Sequence, residues 1–174
     1  MLFGPQFTET RLDTGEARIN LVHGGSGAPL LLLHGYPETH AIWHRVAPAL
    51  IDRFHVVCPD LRGYGDSSKP PSTPDHAPYS KRAMAQDMVE VMAQLGHARF
   101  HVAGHDRGAR VVHRLALDHP DKVLKACVMD IAPTRYMFQH ADHVEATALD
   151  CGHFLPEEAP DAVRQELLRF FGTP

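Results

Sequence analysis

The spacing of apolar positions along the chain changes several times, and each change marks an element. Residues 7 to 23 alternate apolar and polar around Thr14-Gly15, the pattern of a β-hairpin, after which Gly24 to Gly27 break the chain. Leu30–Leu33 is an unbroken apolar run, as expected for a strand covered on both faces of a parallel sheet; Phe54–Cys58, Phe100–Ala103 and Val123–Ile131 carry the same signature. Between these runs the period lengthens. From about Ser80 to Leu95 the positions Met84, Met88, Val91, Met92 and Leu95 share one helical face, and Gly96 is a stop signal. A second helix follows Asp106, turns Val111, Val112 and Leu115 inward, and is closed by Pro120. The last helix is expected from about Pro160 to Phe171, burying Val163, Leu167 and Phe170. Pro70–Pro78, with four prolines, reads as a surface loop. Val144–Leu149 predicts one more strand. The residues 132–143 before it are then a bare connection, too short for an additional strand or a lid.

Strands alternating with helices define an α/β fold, a doubly wound and mostly parallel sheet, and 174 residues suit a single domain over 1–174. A mean hydropathy of −0.24 excludes a membrane span. The net charge of −4, without a basic run, argues against a nucleic-acid partner. Met1 to Phe7 carry no export signal, and Cys58, Cys127 and Cys151 show no paired spacing; reduced thiols and a cytoplasmic location are expected. The chain has 14 histidines, yet metal-type spacings are poor: His101 and His105 fall on a strand and a turn, and His140 and His143 stand apart, so no metal is expected.

Gly104-His105-Asp106-Arg107-Gly108 follows a predicted buried strand and opens a helix. This is the nucleophile-elbow pattern with aspartate in the nucleophile position, where small neighbours let the side chain stand clear of a sharp turn. A carboxylate at a helix N-terminus is stabilised as the anion and can displace a leaving group at carbon, leaving an ester that water must then hydrolyse. That water needs a base. His153, in Asp150-Cys151-Gly152-His153-Phe154, lies where the histidine of such a triad falls in chain order. The acid that orients it is expected at a strand end, and Asp130 is the leading choice, with Asp142, Glu145 and Asp150 as further candidates. His34-Gly35-Tyr36-Pro37 occupies the loop that donates a backbone N–H to an oxyanion hole; the donors would be the N–H groups of Tyr36 and Arg107. Arg107 and Arg110 can converge on one carboxylate, which points to a small acid as substrate. Each residue also has a plainer structural use: a helix cap for Asp106, a solvated turn for Asp130 or His153, a solvated helix charge for Arg110.

At these residues the chain resembles the haloacetate (fluoroacetate) dehalogenases of the α/β-hydrolase superfamily. The stretches LLLHGYPETHAIWHRVAPAL, VVCPDLRGYGDSSKP, VAGHDRGARVVHRLALDHPDKVL, VMDIAPTRYMF and LDCGHFLPEEAP carry the likeness, nearly the whole chain from Leu30 onward. Epoxide hydrolases and haloalkane dehalogenases share the aspartate elbow but usually place Trp after it, whereas GHDRGAR has the paired arginines. The resemblance implies Asp106 as nucleophile, His153 as base with Asp130 as its acid, and Arg107 and Arg110 on the substrate carboxylate. It implies hydrolysis of haloacetate to glycolate and halide without a cofactor. The family's helical cap would enter near His140 and Ala141, where the chain instead runs from MFQH to ADHVEATALDCGHF. The likeness therefore implies a truncated core lacking the cap and at least one strand, with impaired activity. Epoxide hydrolysis is the enzymatic alternative. A non-catalytic fragment that binds small acids, as a homodimer covering the open sheet margin, is the other.

Overall fold

The computed structural model describes residues 2–131 and 144–172. Strands β1 (Phe7–Asp13) and β2 (Arg18–Gly24) form the expected hairpin, closed by the Thr14 N–H donating to the Ala17 carbonyl at 2.7 Å. Strands β3 (Ala28–Leu33), β4 (Phe54–Pro59), β5 (Phe100–His105) and β6 (Val123–Met129) are mutually parallel, and the sheet order is β1-β2-β4-β3-β5-β6. Helices α1 (Lys81–Gln94), α2 (Arg107–Asp118), α3 (Leu155–Glu158) and α4 (Pro160–Gly172) accompany them.

The leucine run of β3 shows why the sheet is covered on both faces. Successive side chains of a strand alternate, so Leu30 and Leu32 enter one core with Trp43, Phe54, Val163 and Leu167, while Leu31 and Leu33 enter the other with Met88, Val102, Val112 and Leu115. All four leucines are fully buried, at about 1.5–3 kcal/mol for each side chain. The methionine face of α1 and the valines of α2 supply the second core; the 3₁₀ turn His40–Arg45 and α4 supply the first.

Three expectations are corrected. Strand β6 stops at Met129, two residues before Ile131, and is the edge of the sheet among the described residues; Leu124 keeps 39% of its surface, so this strand is not covered on both faces. Residues 144–149 form no strand: they meet no ladder partner among the described residues, and 144–148 are exposed. In α4 the buried stripe is Val163, Leu167 and Phe171, spaced by four, and Phe170 is only partly buried. The expected connection 132–143, the cap position at His140-Ala141, Asp142, and the pair His140 and His143 all lie outside the described residues.

This topology fixes where a ligand belongs. From β3 the chain goes to β4 on one side, and β5 lies on the other, so the order in which strands are added reverses between β3 and β5. The crevice outside the C-terminal ends of strands at such a reversal is the usual binding place.

Candidate active site

Register brings three loops to that crevice. Leu33 pairs with Gly104 and His105 pairs with Met129, so the residues just beyond the strand ends are neighbours: the His34–Pro37 loop after β3, Asp106 after β5 and Asp130 after β6. The Asp106 N–H donates to the Met129 carbonyl at 3.0 Å and locks the elbow to the edge strand.

Asp106 sits at φ 45°, a left-handed conformation that costs a non-glycine residue about 1–3 kcal/mol. Close packing holds it there. A Cβ on Gly108 would lie 2.5 Å from the carbonyl oxygens of Leu33 and His34, and one on Gly104 would lie 2.6 Å from the Gly108 backbone. A Cβ on Gly35 would strike the Asp106 side chain at 2.6 Å. The glycines thus let α2 and the β3 loop approach the nucleophile.

The Asp106 side chain makes no capping bond to α2, so the plainer reading as a helix cap does not account for it. Its Oδ2 instead accepts from the Tyr36 N–H at 3.0 Å. Partial burial pushes its carboxyl up, but the Tyr36 and Arg107 N–H groups and the neighbouring imidazoles outweigh this and hold it below the ordinary carboxylate range. Of the expected oxyanion donors, the Tyr36 N–H meets this carboxylate directly.

Asp130, also at positive φ (44°), hydrogen-bonds through Oδ2 to His153 Nδ1. Of the other acids considered, Glu145 is taken by Arg169 at 2.6 Å. The loop carrying His153 is clipped by Glu158 of α3, whose two oxygens accept from the Gly152 N–H at 2.6 Å and the Phe154 N–H at 2.9 Å. Arg107 and Arg110 are exposed on the first turns of α2, and the Arg107 guanidinium lies 4.7 Å above the Tyr36 ring. Lys81, at the start of α1, joins them: burial and the charges of Arg107 and Arg110 push its ammonium below the usual lysine range.

Sequence reading missed a second layer. His105 has no exposed surface, and its Nδ1 faces Glu38, 2.8 Å from Oε1 and 3.1 Å from Oε2. Its Nε2 donates to the His153 carbonyl at 2.6 Å. A ring whose two nitrogens meet a carbonyl and a carboxylate is matched when it donates from both, as the imidazolium. Burial opposes that charge, yet Glu38 prevails and raises the His105 pKa above the ordinary histidine value. Glu38 also accepts from the Gly35 N–H at 2.6 Å. One ion pair, lying under the nucleophile, therefore ties together the elbow, the β3 loop and the histidine loop. Glu38, His105 and His153 offer ligand atoms within 4.8 Å of one another, but both His105 nitrogens are already engaged, so these residues read as an ion pair. The signal available in the sequence was the polar pair inside HGYPE and GHDRG, where buried strand ends leave nowhere else for charge to go.

A mostly parallel α/β sheet with an acidic elbow where its strand order reverses, a histidine–aspartate pair beside it and a backbone donor opposite defines a hydrolase-type architecture. Residues 28–174 match the α/β hydrolase fold, and the chain belongs to that family. It is 54% identical over 154 residues to a fluoroacetate dehalogenase of Burkholderia sp, across 88% of this chain and 51% of that protein. It is 42% identical over 116 residues to a soluble epoxide hydrolase of Corynebacterium sp. (strain C12), across 67% of this chain and 39% of the relative. The chain thus spans about half or less of the curated relatives it matches. Among solved structures, a Nostoc sp PCC 7120 protein provisionally assigned to the α/β hydrolases superposes with a TM-score of 0.74 at 50% identity, covering 97% of this chain and 61% of that one. An epoxide hydrolase from an endophytic Streptomyces gives 0.71 at 32% identity, covering 75% and 39%.

Proposed function

We propose that this chain carries the catalytic machinery for hydrolytic dehalogenation of a small haloacid such as fluoroacetate or chloroacetate. The reading is carried by one juxtaposition: a carboxylate held ionised by the Tyr36 N–H at 3.0 Å, with Arg107 and Arg110 following it on the same helix. Guanidinium pairs suit a substrate carboxylate, and a neutral epoxide would leave them unused. The 54% identity to a fluoroacetate dehalogenase supports the same class.

In the first step an Asp106 carboxylate oxygen attacks the α-carbon of the haloacid. The carbon–halogen bond breaks, halide leaves with the bonding pair, and an Asp106 ester of glycolate forms. In the second, His153 takes a proton from water while the oxygen attacks the ester carbonyl carbon. The negative charge developing on the carbonyl oxygen lies at the N–H groups of Tyr36 and Arg107. Collapse breaks the bond to glycolate, whose alkoxide takes the proton from His153; Asp106 is left as the acid carrying the water-derived hydroxyl, and it loses that proton to solvent to return as the carboxylate. Asp130 holds the imidazole in the tautomer that presents its other nitrogen to water. Fluoride departs only when several donors meet it in a dry cavity, so without a cap the first step is slow and chloroacetate is the better substrate.

Halide-electrode assays with chloroacetate and fluoroacetate, beside D106N, test the proposal. Halide release by the parent chain and none by D106N is expected. In H153Q the ester should accumulate and add mass to the peptide carrying Asp106. Equal release by D106N, or turnover of neutral epoxides alone, overturns it; binding of acids without any turnover points to the non-catalytic reading.

A further inference from the structure

At the end of the sheet opposite the nucleophile, three histidines from separate elements meet. In the antiparallel pairing of β2 and β4, His23 lies opposite Val57. His55, two residues earlier in β4, therefore projects to the same face as His23. That face is covered by α1. Its C-terminus turns at Gly96 (φ 87°), with the His97 N–H donating to the Met92 carbonyl at 2.9 Å, the helix-ending loop that turns the chain back over the sheet. The result is a row: His23 Nδ1 is 2.9 Å from His55 Nε2, and His55 Nδ1 is 2.6 Å from His97 Nε2. The rings meet at 66° and 62°, edge to face, so nitrogens rather than π faces make the contact. All three are half-buried and open to water on one side.

We infer that His23 Nδ1 and His55 Nε2 form a binding site for a divalent transition-metal cation, Cu²⁺ above Zn²⁺, with His97 as the residue that positions His55. Such ions bind imidazole nitrogen at about 2.0–2.1 Å, which puts two adjacent ligand nitrogens about 2.9–3.4 Å apart between right-angle and tetrahedral geometry. The 2.9 Å separation of His23 and His55 is already in that range; modest ring rotation turns both lone pairs toward one point. A metal-bound imidazole characteristically donates its other ring N–H to an acceptor that fixes its orientation. His55 Nδ1 has that acceptor in His97 Nε2 at 2.6 Å. Water completes the coordination on the open side. Separations of 32 and 42 residues explain why no sequence motif announces the site. The order Cu²⁺ above Zn²⁺ follows the general preference of nitrogen ligands.

The test titrates chelator-treated protein with Zn²⁺ or Cu²⁺ alone against a chromogenic competitor. The parent chain is expected to bind Cu²⁺ more tightly than Zn²⁺, and H23Q and H55Q to bind each at least tenfold more weakly while melting in chelator like the parent. H97Q should weaken binding about tenfold. In the unmutated protein, Zn²⁺ should shift the ring resonances of His23 and His55 first, a readout that does not depend on any variant folding. Binding unchanged in both H23Q and H55Q, shifts confined to other histidines, or loss in H153Q alone, which would place the ion at Glu38, His105 and His153, overturns the inference.

Discussion

His105 and His153 are joined by a 2.6 Å hydrogen bond from the buried imidazole of the first to the backbone carbonyl of the second, with ring centroids 4.7 Å apart. The histidine next to the nucleophile thus holds the main chain of the proposed base, and Glu38 holds that histidine. If the arrangement works as proposed, weakening Glu38 should disturb the base without touching it.

E38Q removes the carboxylate that keeps His105 charged. Hydrogen bonds to charged groups contribute about 1.5–3 kcal/mol, and denaturant unfolding should show a loss of that size. The same variant should slow ester hydrolysis more than ester formation, read as ester build-up by mass spectrometry. A fully stable variant with unchanged partition would show that the pair positions nothing.

The pH dependence of stability has a defined sign. The His105 pKa is raised from its ordinary 6.5, so its charged form contributes fully below that value and the contribution is lost as pH rises through the folded pKa. The Asp106 pKa is lowered from 3.8, so its contribution is present above 3.8 and lost as pH falls through the folded value. The melting-temperature advantage of the parent chain over H105Q should therefore be greatest near pH 6 and shrink by pH 9. An advantage that grows with pH would contradict this.

R110A should weaken binding of glycolate, the proposed product, without altering the melting temperature. A charge-assisted hydrogen bond is worth about 1.5–3 kcal/mol, which corresponds to about 10- to 150-fold in affinity. Isothermal titration would reveal it, and undiminished affinity would remove Arg110 from the acid-binding role.

G108A should destabilise the fold even though alanine favours helices. Its methyl group meets the Leu33 and His34 carbonyl oxygens at 2.5 Å, backbone atoms that cannot step aside cheaply. A loss of about 1–3 kcal/mol is expected from thermal unfolding; a gain would mean that α2 can slide away from β3.

How much of this could be read beforehand depended on range. Leu30–Leu33 announced a doubly covered strand, and GHDRG announced the elbow, because short-range periodicity and glycine placement are local properties. Asp130 could be named because strand ends converge at one end of a parallel sheet. The Glu38–His105 pair spans 67 residues and has no spacing to betray it. Val144–Leu149 alternated like a strand, but alternation says nothing about whether a neighbouring strand is there to receive it. The exposure of β6 was equally invisible, since an apolar run does not reveal which strand ends the sheet.

The clip made by Glu158 has a wider implication. Both of its oxygens are used on the N–H groups flanking His153, so the shape of that loop is written between Gly152 and Glu158, while its aim is set from beneath by His105. Shape and aim are separately inherited. Evolution, or an engineer, could vary the sequence between Asp130 and Gly152 while both holds on the histidine loop stay in place.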